Sequence, residues 1–190
     1  MPAADRSSAS RTAFGGLATA LCLIFLAAVR FSPTADLAFY SLTSLCIAAV
    51  VVERGVRTAV VVWLAASVLS LVFPGFQTSL AFIGFFGFYP LAKAWIEGRK
   101  GLRPLPAWGL KLLVFNALLA PGGLLVLGPL SGFFGGQVLL DAWAKLLWNG
   151  ALPVLLLVLL AAQFVFVAYD LVLGLLITFY VRRIHPAVTR

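Results

Sequence analysis

Six apolar runs separated by short polar connections dominate this sequence. They cover residues 12–29, 37–52, 58–73, 79–94, 108–127 and 152–181, and a helix needs roughly 20 such residues to cross the hydrocarbon core of a membrane. Open strands cannot pair their backbone groups in lipid, and these runs lack the alternation that strands of a membrane barrel show. The pattern therefore predicts an all-α integral membrane protein, a bundle of six transmembrane helices.

The scarcity of charge supports the same prediction. Of the 190 residues, 63% are hydrophobic and only 11% are charged, whereas a soluble domain carries roughly 25% charged residues. A water-facing surface built from this chain would expose large apolar patches. No linker is long enough to separate two units, so we expect residues 1–190 to form one transmembrane domain.

The first apolar run allows two interpretations. It follows Arg6 and Arg11 and precedes the segment Ser32-Pro33-Thr34-Ala35, which together resemble a secretory signal with its cleavage site. The alternative is an uncleaved first transmembrane helix. The length of the run and the five runs that follow favour the uncleaved helix.

The positions of the basic residues predict an orientation. Six spans place both termini on one side, and cytoplasmic loops of membrane proteins are enriched in Lys and Arg. With the N-terminus inside, only Arg30 and Lys145 fall on the outer face. Twelve basic residues fall on the inner face: Arg6, Arg11, Arg54, Arg57, Lys93, Arg99, Lys100, Arg103, Lys111, Arg182, Arg183 and Arg190. We therefore expect both termini to be cytoplasmic.

The connection before the last run differs from the others. Residues 128–150 are rich in glycine and end in an amphipathic stretch, 137–148, in which Asp141 and Lys145 are four residues apart. This spacing places both charges on one helical face. We expect a short interfacial helix on the outer surface.

Asp170 is the most informative polar residue. It lies twelve residues before Arg182, or about 18 Å along a helix, which places it a little beyond the membrane midplane. An ionisable group at that depth marks a functional site unless it is a paired structural group. Its candidate partners are Tyr169, Asn116 and Gln163, and we find no partner cation at that depth in the other runs. Lys93 and Glu97 form an i, i+4 pair that we interpret as a solvated face.

Small residues at four-residue spacing occur in the first run. Gly16 with Ala20 and Ala18 with Cys22 form such pairs, and similar faces allow two helices to approach closely. The face could contact a partner subunit or a neighbouring helix of the same chain.

The chain contains no recognisable catalytic motif. P-loop, HExxH and GxSxG patterns are missing from the sequence, and these are the commonest local signatures of nucleotide, zinc and acyl-transfer chemistry. Two separated cysteines, Cys22 and Cys46, and the single His185 do not make a plausible metal site. The sequence therefore predicts no enzyme activity, cofactor, metal or nucleic-acid binding.

The sequence resembles a known family in several respects. A short basic N-terminus leads into a small-residue first helix, about six spans follow, and the long last helix ends in Arg182-Arg183. These features resemble the substrate-binding S components of energy-coupling factor (ECF) vitamin transporters. Segments 84–93 and 111–116 also resemble stretches in a group of uncharacterised bacterial polytopic membrane proteins.

This resemblance implies a bacterial cytoplasmic (inner) membrane protein that binds a small, vitamin-like solute near the outer face. A transmembrane coupling subunit and ATPase subunits would drive transport. The first-helix positions that match the family's coupling face are Gly16 and Ala20, or Ala18 and Cys22. The implied pocket wall comprises Tyr40, Gln77, Gln137, Trp148 and Asn149.

Three functions are consistent with the sequence. The leading hypothesis is a substrate-binding transporter subunit of S-component type. A non-transporting membrane scaffold resembling the MreD cell-shape proteins is the second. The third is a lipid-handling protein or a proton-coupled carrier that uses Asp170.

Overall fold

The computed structural model describes residues 3–32, 35–99, 104–127 and 152–183, and within these ranges the chain is helical with no β-strand. The described residues form seven α-helices in this order: α1 (Ala3–Phe31), α2 (Asp36–Arg54), α3 (Val56–Val72), α4 (Phe76–Ala81), α5 (Phe88–Glu97), α6 (Pro104–Leu127) and α7 (Leu152–Arg183). A π-helical turn, Phe82–Phe86, joins α4 to α5. The all-α prediction is thus confirmed for the described part of the chain.

Four of the described segments are long and apolar enough to cross a membrane. They are Ser10–Phe31, Asp36–Arg54, Thr78–Glu97 and Leu159–Arg183. Two further apolar stretches, Val56–Val72 and Leu105–Leu119, are shorter. The interfacial helix expected at 137–148 lies outside the described residues.

Gly55 and Gly75 lie at two of the sharp changes of direction in the first half of the chain. Gly55 separates α2 from α3 with φ of 84°, and Gly75 precedes α4 with φ of 127°. Side chains with a Cβ rarely adopt these backbone conformations. Glycine therefore allows α3 to begin two residues after α2 ends.

Two contacts between helix ends show which ends of α1, α2 and α7 lie together. Arg54 Nη2 donates to Ser10 Oγ at 2.9 Å, so the end of α2 lies beside the start of α1. Tyr180 Oη donates to Glu53 Oε1 at 3.0 Å, which brings the end of α7 to the same place. We call this the arginine end of the bundle, after Arg54, Arg57 and Arg182.

The helices pack around two groups of buried side chains. The first group joins α1, α2 and α3 to the π-helical turn and includes Cys22, Ile47, Ala66 and Phe82. The second joins α5 to α7 and comprises Tyr89, Phe166, Tyr169 and Leu173. The candidate site is built around this second group.

Gly87 permits the close packing of α3 against the start of α5. A Cβ at this position would lie 2.5 Å from Trp63 Cδ1 and 2.9 Å from Phe82 Cε2. Both distances are far below van der Waals contact. The missing side chain therefore lets the Trp63 ring lie against the backbone of this segment.

Candidate functional site

Asp170 lies at the centre of a buried group of charged side chains. Lys93 Nζ of α5 contacts Oδ1 of Asp170 and donates to its backbone oxygen at 3.1 Å. Lys111 Nζ of α6 donates to Oδ2 at 3.0 Å, and Tyr89 Oη donates to Oδ1 at 2.6 Å. The aspartate is 2% exposed and the two lysines are 5% and 6% exposed. One carboxylate thus links α5, α6 and α7.

Glu97 balances the second lysine. Its Oε1 lies 2.7 Å from Lys111 Nζ and 3.5 Å from Lys93 Nζ. Two ammonium groups therefore face two carboxylates, so the group has no net charge. Half of the Glu97 side chain is exposed, whereas Asp170 lies deeper. We call Asp170, Lys93, Lys111, Glu97 and Tyr89 the ion cluster.

The ion cluster corrects two expectations. A partner cation does exist at the depth of Asp170, and there are two of them, Lys93 and Lys111. The interpretation of Lys93 and Glu97 as a solvated face is wrong for Lys93, because that lysine is buried. A lysine stem is long enough for an ammonium to reach well beyond its own Cα, and both lysines use that reach toward the bundle interior.

One signal in the sequence points to this arrangement. Tyr89, Lys93 and Glu97 are spaced four residues apart, so they share one face of α5. Lys111 lies within the apolar stretch Leu105–Leu119 rather than in a connection. A lysine inside an apolar run and a polar face on a neighbouring helix together indicate internal partners for Asp170.

An aromatic layer covers the ion cluster on the side away from the arginine end. The Phe115 and Phe166 rings are stacked with centroids 4.4 Å apart. The Phe85 ring lies 5.3 Å from Tyr169 and 5.4 Å from Tyr89. These distances are within the range of favourable aromatic pairs. Tyr89 belongs to both the aromatic layer and the ion cluster, because its ring packs in this layer and its hydroxyl donates to Asp170.

A cavity of about 580 Å³ lies beyond the aromatic layer. Residues from α2, α4, the π-helical turn, α6 and α7 form its walls, and none of the described side chains lining it is charged. Among them are Gly84, Phe85, Phe115, Leu119, Phe166 and Tyr169. We call it the aromatic cavity. Its size falls within the roughly 300–1,000 Å³ of small-molecule sites.

Among the predicted site residues that the structure describes, Tyr169 alone lines the aromatic cavity. Its hydroxyl donates to Ser44 Oγ at 2.6 Å. Ser44 Oγ in turn lies 2.7 Å from the Phe86 carbonyl oxygen. These bonds hold the Tyr169 ring against α2 and the π-helical turn, so the cavity has a fixed wall on this side.

Tyr40 lies behind that wall. Its ring stacks on Phe86 with centroids 4.4 Å apart, and its hydroxyl donates to the Thr78 carbonyl oxygen at 3.2 Å. Tyr40 thus supports the cavity wall without lining the cavity. The side chain of Gln77 lies outside the described residues, as do Gln137, Trp148 and Asn149.

The candidate partners of Asp170 bind elsewhere: Asn116 and Gln163 bind each other, and Tyr169 binds Ser44. Gln163 Nε2 donates to Asn116 Oδ1 at 2.8 Å, and Asn116 Nδ2 lies 3.4 Å from Gln163 Oε1. Their other described bond runs from Asn116 to the Leu112 carbonyl oxygen. The pair joins α6 to α7 on the side of the aromatic layer opposite the ion cluster.

A double-mutant cycle measures how strongly this amide pair couples the two helices. We expect Asn116→Ala and Gln163→Ala to show a coupling free energy of about 0.6 kcal/mol and no more than about 1.7 kcal/mol, as for other interhelical bonds in membranes. Unfolding of the two single variants and the double variant in detergent gives this value. Strictly additive losses would show that the pair contributes no interhelical bond.

The small residues of α1 divide between two environments. Ala18 and Cys22 are buried, and Cys22 Sγ lies 3.8 Å from the Thr43 carbonyl oxygen of α2. This pair therefore packs against a neighbouring helix of the same chain. Gly16 and Ala20 are exposed.

Comparison with known proteins identifies no relative of this chain. No protein-family model, curated protein or solved structure matches the chain. The fold and site define a class only: an all-helical protein with several helices apolar enough to span a membrane. Any more specific function rests on the geometry of the cavity and the ion cluster.

Proposed function

We propose that this protein is the substrate-binding subunit of a small-molecule uptake transporter of ECF S-component type. The observation that carries the proposal is the aromatic cavity, a space of about 580 Å³ between helices of the bundle. Sites between helices of a bundle are a common location for small ligands. A scaffold that is tightly packed throughout has no use for such a space.

The walls of the cavity indicate the chemistry of the ligand. Phe85, Phe115, Phe166 and Tyr169 present four aromatic rings, and the described lining carries no charge. Aromatic rings pack favourably on flat ring systems. We therefore expect a largely apolar, vitamin-like ligand with a planar ring and without a formal charge at the buried end.

The proposed transporter subunit has six spans, with both termini in the cytoplasm of a bacterium. Supporting this topology, α2 and α7 both end at the arginine end, and α1 begins there. The positive-inside rule assigns that end to the cytoplasm. The aromatic cavity then opens in the outer half of the membrane, where a solute from outside would arrive.

Energy for uptake would come from other polypeptides. The sequence contains no P-loop, the glycine-rich loop that binds ATP phosphates in P-loop ATPases. We propose a transmembrane coupling subunit and ATPase subunits as partners, each a separate chain.

Filling the cavity tests the proposal directly. Gly84 lines the aromatic cavity and a Cβ there meets no atom within 4 Å, so Gly84→Leu should fold and occupy ligand space. We expect a small molecule to co-purify with the wild-type chain. The amount bound per protein should be at least about tenfold lower in Gly84→Leu. Untargeted mass spectrometry of solvent extracts from detergent-purified protein measures it.

Gly109→Leu is the matched control, because a Cβ at Gly109 also meets no atom within 4 Å and the residue lies outside the cavity. Its bound compound should equal that of the wild type. A chain that carries no compound above the level in empty detergent would contradict the proposal. So would a compound retained equally in all three proteins.

A proton-coupled carrier is the second candidate, favoured by the burial of Asp170 next to the aromatic cavity. Here the double variant Asp170→Asn/Lys93→Met is informative, because it removes one charge of each sign from the ion cluster. A carrier would lose proton-driven uptake of the co-purified compound in this variant. A binding subunit would retain that compound at the wild-type ratio.

A further inference from the structure

A second groove lies on the outside of the bundle, between α1 and α3. Its volume is about 660 Å³, and it runs from Arg11 to Leu23 on one helix and from Arg57 to Leu69 on the other. Twelve residues of helix extend about 18 Å. This α1–α3 groove is separate from the aromatic cavity, since no residue lines both.

The two helices contact each other beneath the groove. A Cβ at Gly15 would lie 3.4 Å from Val62 Cγ2, whereas a Cβ at Gly16 would meet no atom within 4 Å. Thr19 Oγ1 donates to the Gly15 carbonyl oxygen at 2.9 Å, so its hydroxyl is already satisfied. The floor is therefore closed and the walls present mainly aliphatic side chains.

Charge is confined to one end of the groove. Arg11 and Arg57 line it at the arginine end, and Arg54 donates to Ser10, the residue before Arg11 in the chain. Glu53, the residue before Arg54, accepts a hydrogen bond from Tyr180. A cationic mouth on an apolar groove is complementary to an anion that carries a long hydrocarbon tail.

The charge and the length of the groove fit a lipid. Cationic side chains line only the end at Arg11 and Arg57, and the rest of the described lining is uncharged. The length matches roughly half of the 30 Å hydrocarbon core, which is one leaflet.

We infer that the α1–α3 groove binds an anionic phospholipid, with the phosphate at Arg11 and Arg57 and one acyl chain along Gly16 and Ala20. Arginine pairs with phosphate through two parallel N–H···O bonds. Basic pockets between transmembrane helices bind such headgroups on the cytoplasmic side. This inference stands independently of the ligand in the aromatic cavity.

Native mass spectrometry of the delipidated full-length chain tests the site by titration with dioleoyl phosphatidylglycerol or dioleoyl phosphatidylcholine. We expect the anionic lipid to bind at least about tenfold more tightly. Arg11→Gln and Arg57→Gln should each weaken its binding about fivefold. Gly16→Leu should abolish the preference by filling the groove, while Arg99→Gln and Gly109→Leu should leave it unchanged.

Three outcomes would overturn the site. Equal affinity for the two lipids would remove the role of the arginines. If inorganic phosphate at millimolar concentration competes with phosphatidylglycerol, the acyl chain in the groove contributes nothing to the affinity and only the headgroup binds. A second polypeptide released by Gly16→Leu, with lipid binding unchanged, would assign the groove to a partner helix. Because Gly84→Leu alters only the aromatic cavity, it should not change phosphatidylglycerol binding.

Discussion

Replacing Asp170 by asparagine is expected to lower the free energy of unfolding by about 3–5 kcal/mol. The carboxylate accepts bonds from Lys93, Lys111 and Tyr89, and all three donors are buried. Asparagine leaves two ammonium groups with only Glu97 as a counter-charge. The loss is large because a buried charge without its partner is not solvated by lipid or by protein. Unfolding of the purified chain in detergent, followed by circular dichroism, measures the change.

We expect the loss of stability in Asp170→Asn to come from the unbalanced charge rather than from the changed shape of the side chain. The double variant Asp170→Asn/Lys93→Met removes one charge of each sign and should recover part of the loss, since methionine fills a similar volume. Asp36→Asn is the matched control: Asp36 is exposed in the first turn of α2, where a carboxylate contributes about 0.3–1 kcal/mol. Asp170→Asn that costs no more than Asp36→Asn would show that the ion cluster is not structural.

The sequence predicts the helical class because apolar runs of this length have few alternatives. Open strands are excluded in lipid, and the described helices α2 and α3 begin and end within a few residues of the predicted runs. The fourth run is one helical segment long enough to cross a membrane, Thr78–Glu97, as the sequence predicts. The π-helical turn at Phe82–Phe86 within this segment was not predicted. Apolar composition alone does not distinguish an α-helical turn from a π-helical one.

The site was predicted only in part, for a reason that lies in the reach of side chains. Asp170 stands out in the sequence because its neighbours are apolar. Lys93 and Lys111 stand out less, because each lies within two turns of a basic connection or helix start and is also consistent with an interfacial residue. Their ammonium groups reach Asp170 only because α5, α6 and α7 meet at that level. Which helices are neighbours is a tertiary property that hydropathy does not encode.

The aromatic cavity also could not be predicted from the sequence. The side chains of α6 and α7 are mainly apolar on every side of each helix. The sequence therefore does not show which side of either helix points inward. Phe164 and Phe166 are two residues apart in α7, yet one is 76% exposed and the other 1% exposed. Composition treats the two rings alike, and packing against Phe85, Phe115 and Tyr89 separates them.

Because Phe166 is buried and Phe164 is exposed, we expect the two rings to contribute very differently to the free energy of unfolding. Phe166→Ala should lower the free energy of unfolding by about 3 kcal/mol, the lower end of the range for buried aromatic residues. The lower end applies because lipid solvates an exposed ring well, so the loss comes mainly from missing packing contacts and an unfilled space. The ring stacks on Phe115 at 4.4 Å and packs edge-on against Tyr89 at 5.3 Å. Both contacts vanish in the variant.

Phe164→Ala is the control that isolates packing from composition. It removes the same ring from the same helix, but from an exposed position, so we expect a change within about 0.5 kcal/mol. Thermal unfolding in one detergent compares the two variants. Equal losses would mean that the rings of α7 do not differ in packing, and the aromatic layer would then not exist as described. A loss confined to Phe166→Ala, with Asp170→Asn also destabilising, would show that the aromatic layer and the ion cluster hold α5, α6 and α7 together by two separate means.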